Sequence, residues 1–365
     1  VHGGCAWCAA HARPLPWRTE PREPWAALVC EIMAQQTQIA RVAERFGPFM
    51  ERFPTPAAMA EADEREVLAL WSGLGYYRRA RSLHAAARAI VEHHNSVTPT
   101  DPDALAELPG VGRYTAGAVA SIAGHVRTPI VDGNIARVLV RLEGQDLAHG
   151  AAGTARWAWS RAETLADAAD ADRIAAFNEG LMELGATVCT PGEPDCAACP
   201  VRTECVARRE GRQREIPRPK ATAKRSILHA GAAVVTDGRG RVLLERRPTG
   251  GLWGGLWQAP TVDGKTPITA ASLRSHVLPD SPNTIELSLG FEFAGETEFR
   301  TTHRDVRFRV WRAEARSPMT AKLSALGERR WVGISEFDTI ALGSAQRRVL
   351  AAGGVSADGV SAAEA

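Results

Sequence analysis

The stretch Cys189-Thr-Pro-Gly-Glu-Pro-Asp-Cys196-Ala-Ala-Cys199-Pro-Val-Arg-Thr-Glu-Cys205 decides how the rest of the chain is read. Its four cysteines fall within seventeen residues at the spacing C-x6-C-x2-C-x5-C. Four thiolates on so short a loop, braced by Pro191, Pro194 and Pro200, can converge on one centre without a long chain closure. Zinc competes for such a site, because four thiolates also make a closed tetrahedral shell. Zinc ribbons usually bring their ligands as two close pairs, and here only Cys196 and Cys199 form one. A disulfide framework fits poorly with seven cysteines, an odd number, and with the lack of a secretory signal pattern. Cys5 and Cys8, near His2 and His11, make a lone C-x2-C that reads as coincidence.

Outward from that loop, the chain of 365 residues is too long for one ordinary core, so two domains are expected. Hydrophobic residues at 45% and charged residues at 24% describe a soluble globular protein, and no apolar run approaches a membrane span. A net charge of +2 does not by itself name a nucleic-acid binder. The charge is uneven, however: between Arg208 and Arg225 eight Lys or Arg residues face only Glu210 and Glu215. Unpaired thiols and a metal cluster suit a reducing, cytoplasmic setting.

Up to about residue 209 the pattern is helical and Ala-rich. A first helix is expected over Pro24–Arg52, with Leu28, Ile32, Ile39, Val42 and Phe46 at helical spacing. Others are expected over Ala57–Leu70, Arg78–His94, Tyr114–Gly124 and Asn134–Leu142. Residues 210–227 contain Pro217 and Pro219, bury little and read as a basic linker. Strands follow: Leu228–Thr236 and Arg241–Arg246 flank Asp237-Gly-Arg-Gly240, a hairpin, and residues 228–352 form a second domain. The tail 353–365 has few apolar anchors and is expected to be disordered.

Leu108-Pro-Gly-Val-Gly-Arg-Tyr-Thr115 is a helix–hairpin–helix signature. Gly110 and Gly112 let the backbone approach a phosphate, and the N–H groups of the following helix point at it. Such a contact positions a duplex without reading its sequence. Asp132, in Pro129-Ile-Val-Asp-Gly-Asn134, is placed to cap the next helix, which suits a carboxylate that must stay ionised. Glu31 stands three residues after Leu28, at the edge of an apolar face; half burial would raise its pKa toward neutrality.

Hairpin, Asp132 and four cysteines, in that order, resemble the endonuclease III superfamily of base-excision glycosylases. Glu31-Ile-Met-Ala-Gln-Gln-Thr-Gln38, Leu15-Pro-Trp-Arg18 and Trp71-Ser-Gly-Leu-Gly-Tyr-Tyr77 narrow the resemblance to its adenine DNA glycosylases, the MutY family, over residues 12 to 209. The resemblance implies a [4Fe-4S] cluster rather than zinc on Cys189, Cys196, Cys199 and Cys205. It makes Glu31 the acid for adenine and Asp132 the carboxylate facing C1′, with Asn134 beside it. Gln36, Thr37, Leu74, Gly75 and Tyr76 would enter the base stack, and Glu179 would bond the flipped adenine. Where lyase relatives carry a Schiff-base lysine this chain has Tyr114, so it should stop at the abasic site. Ala34 stands in place of the usual leucine.

Ala230–Val235 and Arg246–Gln258 resemble the family's Nudix-like C-terminal module. No Asp or Glu lies between Gly264 and Pro279, so the metal cluster of a pyrophosphatase is lacking and a recognition role remains. Thr301-Thr302-His303 resembles the family's F-S-H loop, with Thr302 and His303 as readers of the opposite base and Thr301 replacing the phenylalanine. The expected fold is α+β in two domains: a mostly helical helix–hairpin–helix glycosylase domain with an iron–sulfur loop, then a Nudix-like α/β domain. The expected protein is a monomeric, monofunctional adenine glycosylase on double-stranded DNA holding adenine opposite 8-oxoguanine or guanine.

Overall fold

The computed structural model describes residues 7, 10–219, 225–279, 290–315, 319–337 and 339–355. His2, Cys5, Cys8, part of the expected linker (220–224) and most of the expected tail (356–365) lie outside the described residues. The chain divides into two compact units, Val1–Ala62 with Arg78–Thr222, and Asp63–Tyr77 with Ala223–Ala365. Among the described residues no helix is long and apolar enough to cross a membrane.

The helices of the first part of the chain are α1 (Pro24–Ala34), α2 (Ile39–Arg52), α3 (Pro56–Ala60), α4 (Glu64–Leu70), α5 (Arg78–His93), α6 (Pro102–Ala106), α7 (Arg113–Ile122), α8 (Gly133–Leu142), α9 (Ala152–Asp167), α10 (Ile174–Thr187) and α11 (Val206–Arg209). Two of the helices expected from periodicity are each broken. Pro24–Arg52 is α1 and α2, separated at Gln35–Gln38, because Gln35 leaves the helical region (φ −57°, ψ 113°) and Gln36 is left-handed at φ 56°. Apolar periodicity carries across such a gap unchanged, so it does not reveal it. Ala57–Leu70 is α3 and α4, with the Asp63 carboxylate accepting the Arg65 N–H and starting the second piece. Ala118, Ile122, Ile130, Ile135, Leu139, Ala158 and Ala162 form a core between α7, α8 and α9.

The other unit carries a mixed sheet of β1 (Ser226–Asp237), β2 (Val242–Arg246), β3 (Trp257–Gln258), β4 (Thr261–Gly264), β5 (Glu292–Arg300), β6 (Arg304–Ala315) and β7 (Arg329–Val332). Its main order is β3-β2-β1-β6-β5, with β1 and β6 parallel. The hairpin expected at Asp237–Gly240 is present: Thr236 pairs with Val242, and the Asp237 carboxylate accepts N–H bonds from Arg239 and Arg241. β1 is apolar on both faces, as a central strand must be. Ala230, Ala232 and Val234 join Val349 and Leu350 of α14 (Ser344–Ala352) on one side. Ala233 and Val235 join Leu273 and Val277 of α12 (Ala270–Val277) on the other, with Leu323 of α13 (Met319–Ser324). α12 carries Arg274 and His276 and no carboxylate.

Candidate active site and cluster loop

Glu31 lies on α1 between Cys30 and Ile32, all three buried. It is not half-buried, as its helical position implied, but 9% exposed. Burial pushes its carboxyl up to about 7; the Asp132 and Glu179 carboxylates push the same way, against a hydrogen bond from the Tyr114 hydroxyl. Tyr114, on the first turn of α7, is itself raised well above the ordinary phenol range by burial and by the Glu31 and Asp132 charges. Three residues from α1, α7 and the start of α8 are therefore close enough to act on one another.

Asp132 is the N-cap of α8: its Oδ1 accepts the Ile135 N–H at 2.7 Å, and its Oδ2 accepts from Asn134 Nδ2 at 3.1 Å. Both bonds fix the carboxylate's orientation. Asn134 Oδ1 in turn accepts from Arg137 at 2.9 Å, and Arg137 Nε donates to the Cys189 carbonyl at 2.7 Å. A continuous chain of bonds thus runs from Asp132 to the cysteine loop.

Glu179 is not a free acceptor. Arg22 donates to it at 2.9 Å, and Arg18 Nε lies 3.6 Å away. Behind it, Glu183 takes a bidentate pair of bonds from Arg13 and another from Arg18. Burial opposes ionisation there, but these bonds hold Glu183 below the usual carboxylate range. Sequence reasoning singled out Leu15-Pro-Trp-Arg18 but not Arg13, Arg22 or Glu183; partners more than 150 residues apart leave no local pattern.

In the hairpin, Gly110 and Gly112 are glycines for different reasons. Gly110 has φ 80°, and a Cβ there would stand 2.4 Å from Ser82 Cβ. Gly112, the N-cap of α7 at φ −95°, needs no special conformation, and a Cβ there would meet nothing. Its bareness leaves the start of α7 open to an incoming group.

Of the residues expected at the base stack, Gln36 is exposed and left-handed, and Thr37 follows it. Tyr76 is left-handed and 50% exposed, whereas Leu74 is only 4% exposed and lies under the loop surface. Gly75 has φ 69°. Thr302 and His303 are exposed in the turn between β5 and β6. The Thr301 hydroxyl accepts the Arg304 N–H and donates to its carbonyl, so threonine at the phenylalanine position closes this turn. Within the same unit the Tyr76 hydroxyl and Thr302 Oγ1 are 3.1 Å apart.

Cys189, Cys196, Cys199 and Cys205 line one partly open cleft, with Arg141, Arg202 and Arg208 around it. Among the described residues no three Cys, His, Asp or Glu side chains converge as a single metal ion requires. A cubane binds each thiolate through its own iron and therefore needs space between the four sulfurs. Arg141, 3% exposed, donates to Cys189 Sγ at 3.3 Å, a cation where thiolates would gather. Burial raises the Cys199 thiol to about 11, so ligation there would displace a proton. Arg137 and Arg141 were not foreseen, although buried arginines four apart on the amphipathic α8 are a readable anomaly.

Residues 29–163 match the HhH-GPD superfamily of base excision DNA repair proteins, and residues 231–352 match the NUDIX domain. Human adenine DNA glycosylase is 32% identical over 402 aligned residues, covering 94% of this chain and 72% of the human protein. The chain belongs to the adenine DNA glycosylase family. It is a DNA N-glycosylase of base-excision repair, with a helical HhH-GPD domain followed by a Nudix-like one. The adenine DNA glycosylase of Mycobacterium tuberculosis strain CDC 1551 is 44% identical over 196 residues, 54% of this chain and 64% of the relative. Among solved structures, a thermostable thymine-DNA glycosylase superposes with a TM-score of 0.52 at 26% identity, over 57% of this chain and 94% of that one.

Proposed function

We propose that this glycosylase releases adenine from mispairs with 8-oxoguanine or guanine and leaves an intact abasic strand. The observation that carries the reading is the grouping of Glu31, Asp132 and Tyr114: one carboxyl held near neutral pKa, one carboxylate fixed by two hydrogen bonds, and a phenol instead of an amine. Near pH 7 a substantial share of Glu31 is protonated and able to give its proton to adenine N7. The C1′–N9 bond then breaks with its electron pair leaving on adenine, while the Asp132 carboxylate offsets the cation growing at C1′. Water adds to C1′ and returns a proton to Glu31. Tyr114 cannot form an imine, so no β-elimination follows.

Gly112 and the start of α7 would take a duplex phosphate; Gln36, Thr37, Gly75 and Tyr76 would fill the space left by the extruded base. Glu179, oriented by Arg22, would accept from the adenine amino group. Thr302 and His303 would read the opposite base, with residues 210–227 as a linker between a catalytic part up to residue 209 and a reader from 228 to 352. The cysteine-lined cleft and its arginines fit a [4Fe-4S] cluster, held by Cys189, Cys196, Cys199 and Cys205. When bound, it would order the loop bearing Arg202 and Arg208 for phosphate contact. The protein would act as a monomer in the cytoplasm.

A duplex with adenine opposite 8-oxoguanine tests the reading. Free adenine should appear, and strands should break only after alkali or heat. Direct nicking, or trapping by borohydride, would replace it with a lyase mechanism.

A further inference from the structure

The guanidinium of Arg79 collects four acceptors at the point where α1 ends. Its Nη1 donates to the carbonyls of Ile32 at 2.9 Å, Met33 at 2.8 Å and Gln35, and its Nη2 donates to Thr37 Oγ1 at 2.9 Å. The first two belong to the last turn of α1, whose carbonyls have no intrahelical donor. The other two flank Gln36, a non-glycine residue at φ 56°. That conformation is uncommon and persists where its surroundings over-determine it. Gln35 Nε2 adds a bond to Thr115 Oγ1 on α7 at 3.2 Å, so the loop is tied from both sides. Glu31 lies one residue before the first of the four acceptors. Tyr76 lies three residues before Arg79 in the chain.

We infer that Arg79 is a positioning residue for base extrusion: its planar fork locks the Gln35–Thr37 loop to the end of the helix that carries Glu31. The inference rests on the reading above, in which this loop enters the duplex. It adds a residue that touches neither base nor sugar and sets where two groups that do touch them stand. The Asp132 and Glu179 carboxylates push the Glu31 carboxyl up, and the role assigned to Arg79 is one of position rather than of tuning that acid. A lysine would supply donors from one point and could cap the carbonyls, but it could not also span to the Thr37 hydroxyl.

The test uses the full chain and a duplex with 2-aminopurine beside the mispaired adenine, whose fluorescence rises on unstacking. Arg79→Gln, Arg79→Lys and Thr37→Val are compared with native protein for that rise, for single-turnover excision against pH, and for melting temperature. Arg79→Gln should lose most of the fluorescence rise and slow excision by roughly tenfold or more, since several charge-assisted bonds go at once. The pH midpoint should stay in place. Arg79→Lys and Thr37→Val should each show part of the same loss at near-native melting temperature. If Arg79→Gln lowers only the melting temperature, with native rise and rate per folded molecule, the residue is a plain helix cap and the inference fails while the glycosylase reading stands. If Arg79→Gln does not fold, native behaviour by both other variants has the same meaning. Native protein that neither excises adenine nor raises fluorescence overturns both.

Discussion

Burial raises Glu31 toward neutrality, while two hydrogen bonds anchor Asp132, so two residues of one chemical kind stand in different environments, which suits the different work proposed for them. Asp132→Asn and Glu31→Gln should each abolish most excision while leaving affinity for mispaired duplex nearly native, as gel-shift and single-turnover assays would show. With Glu31 as the proposed acid, the excision rate should fall as pH rises through about 7. Its raised pKa also costs stability: between the ordinary value of 4.5 and about 7 the folded state holds a proton that the unfolded state releases, so stability declines as pH rises across that window. Glu31→Gln has no such proton. Its stability relative to native protein should therefore improve from pH 4.5 to 7, by about 3 kcal/mol at most. Melting temperatures at both ends of the window would show it, and a constant gap would contradict the burial argument. Tyr114→Lys should gain strand nicking and borohydride trapping, since the amine would stand where the phenol meets Glu31 and Asp132. The sequence marked all three residues, because each sits in a local motif. It understated the burial of Glu31, which depends on α7 packing against α1 and not on the spacing within α1.

At the level of elements, the hairpin was legible down to its glycines, though not their separate reasons. Gly110→Ala should destabilise the fold by at least about 1 kcal/mol, through left-handed strain and the approach to Ser82. Gly112→Ala should leave the melting temperature nearly unchanged and weaken binding to any duplex, matched or mispaired. Equal losses of stability in the two variants would remove Gly112 as a phosphate-approach site. The break between α1 and α2 was not legible. Leu28, Ile32, Ile39, Val42 and Phe46 keep helical phase across it, and the donor that meets the carbonyls at the break is an arginine on α5, more than forty residues downstream. Paired strands were easier: β1 alternates between two buried faces, and the Asp237 turn is local.

Across the whole molecule, the proposed chemistry and the proposed recognition occupy different parts of the sequence. The proposed catalytic residues stand before residue 180, and the proposed reader is a turn between β5 and β6 closed by Thr301. Thr302→Ala with His303→Ala should cost about 1–3 kcal/mol of preference for 8-oxoguanine over guanine opposite adenine. Turnover on the adenine–guanine pair should barely change. The two-domain plan could be read from the shift of helical to strand periodicity after residue 227. The arginines at Glu179, Glu183 and Cys189 could not, since contacts between distant segments leave no mark on local spacing. One assay bears on the account most directly: single-turnover release of adenine from duplexes pairing it with 8-oxoguanine, guanine, cytosine or thymine. Release opposite 8-oxoguanine and guanine, with little opposite cytosine or thymine and with every strand intact before alkali, is the predicted result. Absence of adenine release, or strand cleavage without alkali, would contradict it.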